Sequence, residues 1–202
     1  MDMSHYIYLV RHGEQQDAEH GLAEGPLSAR GRRQAALLAD RLGGVPMDVA
    51  HYSPLQPAAE TAEVFQSRLP ALPLESSSLL FDAIPSGPSE GMPAAYESFF
   101  GSVTDAEIEA GSAQMADAVA EYLAPRRGER HELLITHNSV VNWLVREALG
   151  APDWRWMSLN QAHCALTVIA QRPGRPWTLL SYNDLGHIPV EDRTGLGGAL
   201  AL

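Results

Sequence analysis

Two histidines of this chain, His12 and His137, each follow an apolar run that predicts a buried strand. The first run, YIYLV, leads into Arg11 and His12, and the second, ELLI, leads into Thr136 and His137. A single histidine at the end of a strand is most often an ordinary polar residue. Two histidines at equivalent positions, one of them beside an arginine, indicate instead a site for a phosphoryl group.

The chemistry of these side chains suits phosphoryl transfer. The planar guanidinium of Arg11 can donate two N–H groups to phosphate oxygens. A neutral imidazole at His12 can attack phosphorus and form a phosphohistidine. A protonated His137, with the free N–H groups of a helix that begins at Asn138, can balance the charge on the phosphoryl oxygens without a metal ion. The remaining histidines show no dense ligand spacing such as H-E-x-x-H, so no metal site is predicted.

The elements that must position these residues alternate between strands and helices. The strands are predicted at YIYLV, MDVAHYS, HELLIT, CALTVIA and WTLLSY, and the helices at 28–42, across 58–69, and at 94–100, 104–123 and 138–149. Residues 70–95 contain too many prolines for a regular element, which predicts an irregular surface segment. The alternation predicts an α/β fold, a three-layer α/β/α arrangement with a mainly parallel central sheet. In such sheets ligands bind beyond the carboxyl ends of the strands, where both histidines are expected.

Composition limits the function classes. The 202 residues predict one domain over residues 1–193, followed by a flexible tail at 194–202. A formal charge of −11 disfavours nucleic acid and anionic membrane surfaces as partners. The lone Cys164 allows no intramolecular disulfide and suits a reducing compartment. No apolar run approaches the ~18 residues of a membrane span, so a cytoplasmic location is expected.

The segment Arg-His-Gly-Glu after the first strand resembles the signature of the histidine phosphatase superfamily, which includes the cofactor-dependent phosphoglycerate mutases. The resemblance continues, in the order of the family, through PLSARGRRQA (26–35), SPLQPAAETA (53–62) and LLITHNSVV (133–141). One Arg-His-Gly would be weak support, whereas four ordered segments are strong.

The resemblance implies a role for each matching residue. It makes His12 the phosphorylated nucleophile and places Arg11 and His137 in the phosphate pocket, with Asn138 and Glu14 as phosphate-binding neighbours. It implies no metal ion and no cofactor.

The family also needs a carboxylic acid that protonates the leaving group. Where one branch has Leu-Arg-Glu-Gly-x-Pro, this chain has LFDAIP, so the resemblance assigns this role to Asp82. An exposed loop aspartate is the alternative interpretation of Asp82, and Glu14 ranks second as the acid.

Two departures from the family pattern bear on activity. The pattern Ser-Pro-x-x-Arg-Ala supplies a second phosphate arginine, but this position is Pro57. Hydrogen bonds to charged groups contribute about 1.5–3 kcal/mol each, so the loss matters unless another residue, such as His51 or Arg155, compensates. The mutase-type branch has an asparagine where this chain has Ala18, which disfavours mutase activity.

The sequence therefore predicts a metal-independent phosphomonoesterase of the histidine acid phosphatase type, working through phospho-His12. Its expected substrate is a small phosphorylated metabolite or a phosphoprotein. Two alternatives stay open: a phosphoglycerate mutase, and a catalytically degenerate member that binds phosphorylated ligands or a protein, which Pro57 favours. The oligomeric state is open, with a homodimer as one option.

Overall fold

The computed structural model describes residues 4–16, 25–126 and 128–196. Within them the strands are β1 (His5–Arg11), β2 (Val49–Tyr52), β3 (Leu74–Ser76), β4 (Arg130–Thr136), β5 (Leu166–Gln171) and β6 (Thr178–Asp184). The α-helices are α1 (Ala29–Leu42), α2 (Gln56–Arg68), α3 (Asp105–Tyr122) and α4 (Asn138–Ala148). Short 3₁₀ helices lie at Ser78–Leu80, Ala94–Ser102, Asp153–Ser158 and Val190–Asp192.

The six strands form one sheet in the order β3-β2-β4-β1-β5-β6. The pairs β2–β3, β2–β4 and β1–β4 are parallel, whereas β5 is antiparallel to both of its neighbours. All strands except β5 therefore run in one direction, which confirms the predicted mainly parallel sheet. In the centre Arg11 is paired in register with Thr136, so β1 and β4 end side by side.

Helices cover both faces of this sheet because side chains alternate along its strands. In β1, Ile7 and Leu9 belong to the apolar cluster beneath α3 and α4. Tyr8 and Val10 belong to the cluster beneath α1 and α2. The predicted three-layer arrangement is confirmed.

Helix α1 begins and ends at the predicted residues. The Ser28 hydroxyl accepts a hydrogen bond from the Gly31 N–H at 2.9 Å, which satisfies one of the free amides of the first turn. Gly43 is the C-terminal capping residue. This start of α1 matters for the site because it lies against the loop that follows β1.

The prediction that residues 70–95 are irregular throughout is wrong at two points, because β3 and the 3₁₀ helix Ser78–Leu80 lie within them. The Pro73 carbonyl accepts a hydrogen bond from Ala50 N–H at 2.9 Å. A proline lacks a donor but keeps its acceptor, so a short edge strand can start beside it. The predicted helical segment near residue 94 is a 3₁₀ helix.

Within the described part of the chain, no helix is both long enough and apolar enough to cross a membrane. The domain boundary at 193 stays a prediction. Thr194 and Gly195 lie beside His163 and Arg11, and residues 197–202 of the predicted tail fall outside the described residues.

Candidate active site

His12 is buried at the carboxyl end of β1, with 4% of its surface exposed. Its backbone N–H donates to the Thr136 carbonyl of the neighbouring strand at 2.9 Å. Its Nδ1 lies 2.8 Å from the Gly13 carbonyl oxygen. A carbonyl can only accept, so Nδ1 carries the proton and Nε2 keeps its lone pair. Burial, followed by the positive charge of Arg11, holds the pKa of His12 well below its usual value, which keeps the imidazole neutral at neutral pH.

Gly13, whose carbonyl oxygen fixes this tautomer, is itself held by buried contacts. Its N–H donates to Thr61 Oγ1 at 3.0 Å, and that hydroxyl donates to the Pro57 carbonyl at 2.7 Å. A Cβ placed on Gly13 would lie 2.6 Å from the Gly31 oxygen, and one on Gly31 would lie 2.1 Å from the Glu14 oxygen. Only glycine fits at these two positions, because the loop after β1 and the first turn of α1 touch backbone to backbone.

His137 lies next to His12, as the strand-end argument predicts. The two ring centroids are 5.2 Å apart. His137 is the N-terminal capping residue of α4, and its Nε2 lies 2.9 Å from Ser53 Oγ. Burial lowers the pKa of His137, the charge of Asp82 raises it, and that of Arg11 lowers it. Burial is the largest of these effects and the net pKa lies below its usual value, so this imidazole is neutral at neutral pH while no ligand is bound.

Arg11 brings a largely buried positive charge to the same place. One of its terminal nitrogens donates to the Gln161 carbonyl at 3.1 Å, and its Nε has no hydrogen-bond partner among the described residues. Burial lowers the pKa of Arg11, and the charge of Asp82 raises it. A guanidinium stays charged despite such shifts, so the pocket retains one fixed cation.

Asp82 is exposed at the edge of this group. Its carboxylate accepts a hydrogen bond from the hydroxyl of Ser139, in the first turn of α4. Its charge affects the pKa of both Arg11 and His137, which places it close to these two residues. Both interpretations of Asp82 from the sequence are compatible with this position, because an acid that meets the leaving group must itself be accessible.

The loop that carries Asp82 is fastened to α3. Gln114 Nε2 donates to the carbonyls of Leu79 and Phe81 at 3.2 and 2.8 Å. A Cβ on Gly111 would lie 2.1 Å from the Ile84 oxygen. Helix α3 therefore sets the position of the carboxyl group.

Glu14 and Asn138 make contacts within the protein. The Glu14 carboxylate accepts from Ser28 Oγ at 2.5 Å and from Arg30 at 3.1 Å. These contacts favour a structural role for Glu14, since both its oxygens are engaged and a carboxylate repels phosphate. Asn138 Oδ1 accepts from the Gln161 N–H at 2.6 Å, so this oxygen ties α4 to the loop that also bonds Arg11.

Pro57 occupies a buried position in the first turn of α2, one helical turn before the threonine that bonds Gly13. The residue thus lies on the helix face directed at the site. Neither candidate for compensation lies there: His51 Nδ1 is 3.6 Å from Glu75, and the Arg155 guanidinium covers the ring of Trp154 at 4.2 Å.

Sequence reasoning missed a third histidine. The ring of His163 lies 5.6 Å from that of His12. Its Nδ1 is 3.0 Å from Thr194 Oγ1, and its Nε2 has no partner among the described residues. Burial, followed by the charge of Arg11, lowers the pKa of His163 to about 3. Ser53, which contacts His137, was also missed. It directly follows β2, so the argument from strand ends that located His12 and His137 could have found it.

The segment 182–189 supports the loop that contains His163. Asn183 Oδ1 accepts from the Ala162 N–H at 2.8 Å, and His187 Nε2 donates to the Cys164 carbonyl at 2.9 Å. These contacts are with the residues on either side of His163, so the segment helps to hold His163 in the site.

Comparison of the sequence with known families identifies one that matches it. The model of the histidine phosphatase superfamily (branch 1) matches residues 7–185. Among curated proteins, the mitochondrial serine/threonine-protein phosphatase Pgam5 of Caenorhabditis briggsae is 27% identical over 92% of this chain and 65% of its own length. The human PGAM5 is 26% identical over 94% of this chain and 65% of its own length. This chain thus spans slightly less than two thirds of these relatives.

Solved structures share the fold. Bacillus stearothermophilus YhfR superposes with a TM-score of 0.72 at 24% identity, covering 91% of this chain and 99% of that one. The alpha-ribazole phosphatase of Shigella flexneri gives 0.70 at 22% identity, covering 89% and 96%. The phosphoglycerate mutase of Plasmodium falciparum gives 0.62 at 20% identity, covering 93% and 96%.

Proposed function

Because the chain belongs to the histidine phosphatase superfamily, we propose that it is a metal-independent phosphatase that hydrolyses phosphomonoesters through a phosphohistidine on His12. The observation that carries the proposal is the Nδ1 contact of His12 with the Gly13 carbonyl. It leaves Nε2 as the nucleophilic nitrogen beside Arg11 and His137. The relatives named as phosphatases support the same reaction class.

In the first half-reaction the lone pair on His12 Nε2 attacks phosphorus, and the bond from phosphorus to the ester oxygen breaks. The ester oxygen takes the electron pair of that bond and a proton from the Asp82 carboxyl group, so the alcohol leaves neutral. The step requires Asp82 to enter it as the neutral carboxyl group, which gives its proton to the ester oxygen.

In the second half-reaction the Asp82 carboxylate takes a proton from water, whose oxygen attacks phosphorus. The phosphorus–nitrogen bond breaks, its electron pair returns to His12 Nε2, and inorganic phosphate leaves. His12 keeps its Nδ1 proton throughout, because Nδ1–H donates a hydrogen bond to the Gly13 carbonyl in both half-reactions.

The charge on the phosphoryl oxygens is met by Arg11, by the free N–H groups at the start of α4 and by His137. A bound dianion would raise the pKa of His137 against the effect of burial, so substrate binding would bring a proton onto this ring. We therefore expect His137 to act as a cation only when phosphate is bound.

The test compares two histidine variants with p-nitrophenyl phosphate as substrate, with and without EDTA. His12→Ala should lose activity by about three orders of magnitude or more. His51→Gln should retain it, because His51 contacts Glu75 and Tyr122 away from the site. Reactions quenched with base should contain an acid-labile, base-stable phosphate on the wild type and on His51→Gln, and none on His12→Ala. Wild-type turnover by His12→Ala, or loss of turnover in EDTA, would rule the proposal out.

Pro57 favours a second candidate, a member that binds phosphorylated ligands without turning them over. The described contacts place no second guanidinium where the family pattern has one. Robust wild-type hydrolysis would eliminate this candidate. The cytoplasmic location and the homodimer stay predictions.

A further inference from the structure

A cavity of about 780 Å³ opens directly beside the proposed catalytic groups. Asp82, Asn138 and Ser139 line one side of it, and Asn138 immediately follows His137 in the chain. An ester oxygen that receives the proton of Asp82 must therefore carry its organic group into this cavity. Its volume lies in the range of small-molecule sites, about 300–1,000 Å³.

The walls of the cavity are mainly aromatic and aliphatic. The apolar side chains that line it are Leu55, Phe81, Ile84, Phe99 and Trp156. Trp156 is held in place because its Nε1 donates to Ser86 Oγ at 3.1 Å, and Phe99 meets its ring edge to face at 5.8 Å between centroids. Phe99 is 41% exposed, so it leaves apolar surface available for a ligand to cover.

The ionisable groups on these walls are Asp82 and Glu107, and the described lining residues include no arginine, lysine or histidine. Glu107 is fixed as an anion, since its carboxylate accepts from Thr104 N–H and Oγ at 2.8 and 2.7 Å, and these bonds lower its pKa. The chain has no lysine that could reach in from elsewhere. A carboxylate or second phosphate on the leaving group would therefore meet negative charge and no cation.

We propose that the substrates of this site, given the phosphatase function proposed above, are small phosphomonoesters whose leaving group is bulky, aromatic or aliphatic, and carries no negative charge. Burial of the apolar group against Phe99 and Trp156 contributes to its binding. The negative charge of Glu107 disfavours leaving groups that carry a carboxylate, such as the glycerate of phosphoglycerate, which also counts against the mutase alternative.

The test measures kcat/KM for phenyl phosphate, 1-naphthyl phosphate, 4-carboxyphenyl phosphate, 3-phosphoglycerate and a phosphoserine peptide. The naphthyl ester should be hydrolysed best, and each carboxylated ester at least about tenfold less efficiently than the neutral aryl esters. Phe99→Ala should lower kcat/KM about tenfold for the naphthyl ester and less for phenyl phosphate, whose smaller ring buries less apolar surface.

Glu107→Gln isolates the charge, because glutamine preserves the capping interaction with Thr104. It should raise the ratio of kcat/KM for 4-carboxyphenyl phosphate to kcat/KM for phenyl phosphate. The control is Glu109→Gln, an exposed acid on the same helix that does not line the cavity, which should leave this ratio unchanged.

The outcomes separate this inference from the function on which it rests. Hydrolysis of 3-phosphoglycerate or the phosphopeptide as efficient as that of 1-naphthyl phosphate, dependent on His12, would overturn the inference and leave the phosphatase function intact. If none of the esters is hydrolysed in a manner dependent on His12, the phosphatase function falls, and the inference with it.

Discussion

Replacement of Thr61 by valine should slow catalysis more than it disturbs the fold. The Thr61 hydroxyl accepts the Gly13 N–H at 3.0 Å, and the carbonyl of Gly13 holds His12 Nδ1 at 2.8 Å. Valine has nearly the same shape as threonine but no acceptor. The change therefore removes one support of the peptide that orients the nucleophile.

The structure sets the magnitude. Thr61 is fully buried, so water cannot take the place of the lost hydroxyl. An unsatisfied buried amide costs about 1–3 kcal/mol, which is the expected fall in the free energy of unfolding. If the Gly13 peptide moves because this hydrogen bond is lost, His12 moves with it. We therefore expect kcat to fall about 10- to 100-fold, since 1.4 kcal/mol corresponds to a factor of ten. KM should change little, because Arg11 is untouched.

The assay combines steady-state kinetics on p-nitrophenyl phosphate with urea denaturation. Thr61→Ser is the matched control, since it keeps the oxygen and loses one methyl group, a cost of about 0.8 kcal/mol in stability. It should keep kcat near that of the wild type. If Thr61→Val folds stably and retains the wild-type kcat, the Gly13 peptide does not control His12 and the reasoning is refuted.

Three further changes test other parts of the site. Pro57→Arg should raise kcat about 10- to 100-fold by adding charged hydrogen bonds to phosphate, whereas Pro57→Ala, which adds no charge, should not; equal effects of the two variants would refute this. Gly111→Ala should lower kcat and the melting temperature because its Cβ would lie 2.1 Å from the Ile84 oxygen of the loop that carries Asp82; Gly101→Ala, with open space around it, is the control, and equal loss in both would exclude the loop contact as the cause. The pKa of His163 is about 3 in the folded chain, below its value in the unfolded chain. Between these two pKa values the unfolded chain binds a proton that the folded chain does not, so the free energy of unfolding falls as the pH drops from 6.5 towards 3. The contribution of His163 to this loss is about 2 kcal/mol at pH 5. His163→Gln should show a smaller loss in urea denaturation at pH 7.5 and pH 5, and an unchanged loss would contradict that pKa.

The sequence was sufficient to bring His12 and His137 together, because the argument needed only two strand ends and the parallel pairing of their strands. The register of Arg11 with Thr136 confirms that step. The start of α1 was equally predictable, since a serine three residues before the Gly31 amide is a local signal. Such features depend on residues near each other in sequence, or on a rule that holds for every parallel sheet.

His163 was not predictable in this way, because its position depends on the direction of a strand. It precedes β5, and only the antiparallel course of β5 brings that end to the edge where the parallel strands finish. An apolar run looks the same in either direction. Thr61 was hidden for a different reason, since a threonine within a helix gives no sign that its hydroxyl meets a glycine 48 residues away.

The two backbone contacts at Gly13 and Gly31 also alter how the sequence motifs should be weighed. Three of the motifs meet around Gly13: Arg-His-Gly-Glu, the PLSARGRRQA segment and the SPLQPAAETA segment. Gly31 packs against the backbone of Gly13 and Glu14, and the Thr61 hydroxyl accepts a hydrogen bond from the Gly13 N–H. The three segments therefore form one set of contacts around Gly13, and a displacement of one would displace the others. A homologue with a side chain at position 31 would have to move the loop after β1, and with it the nucleophile. We expect substitutions at these positions to occur together in homologues. Residues of the cavity walls that select the leaving group are expected to change independently.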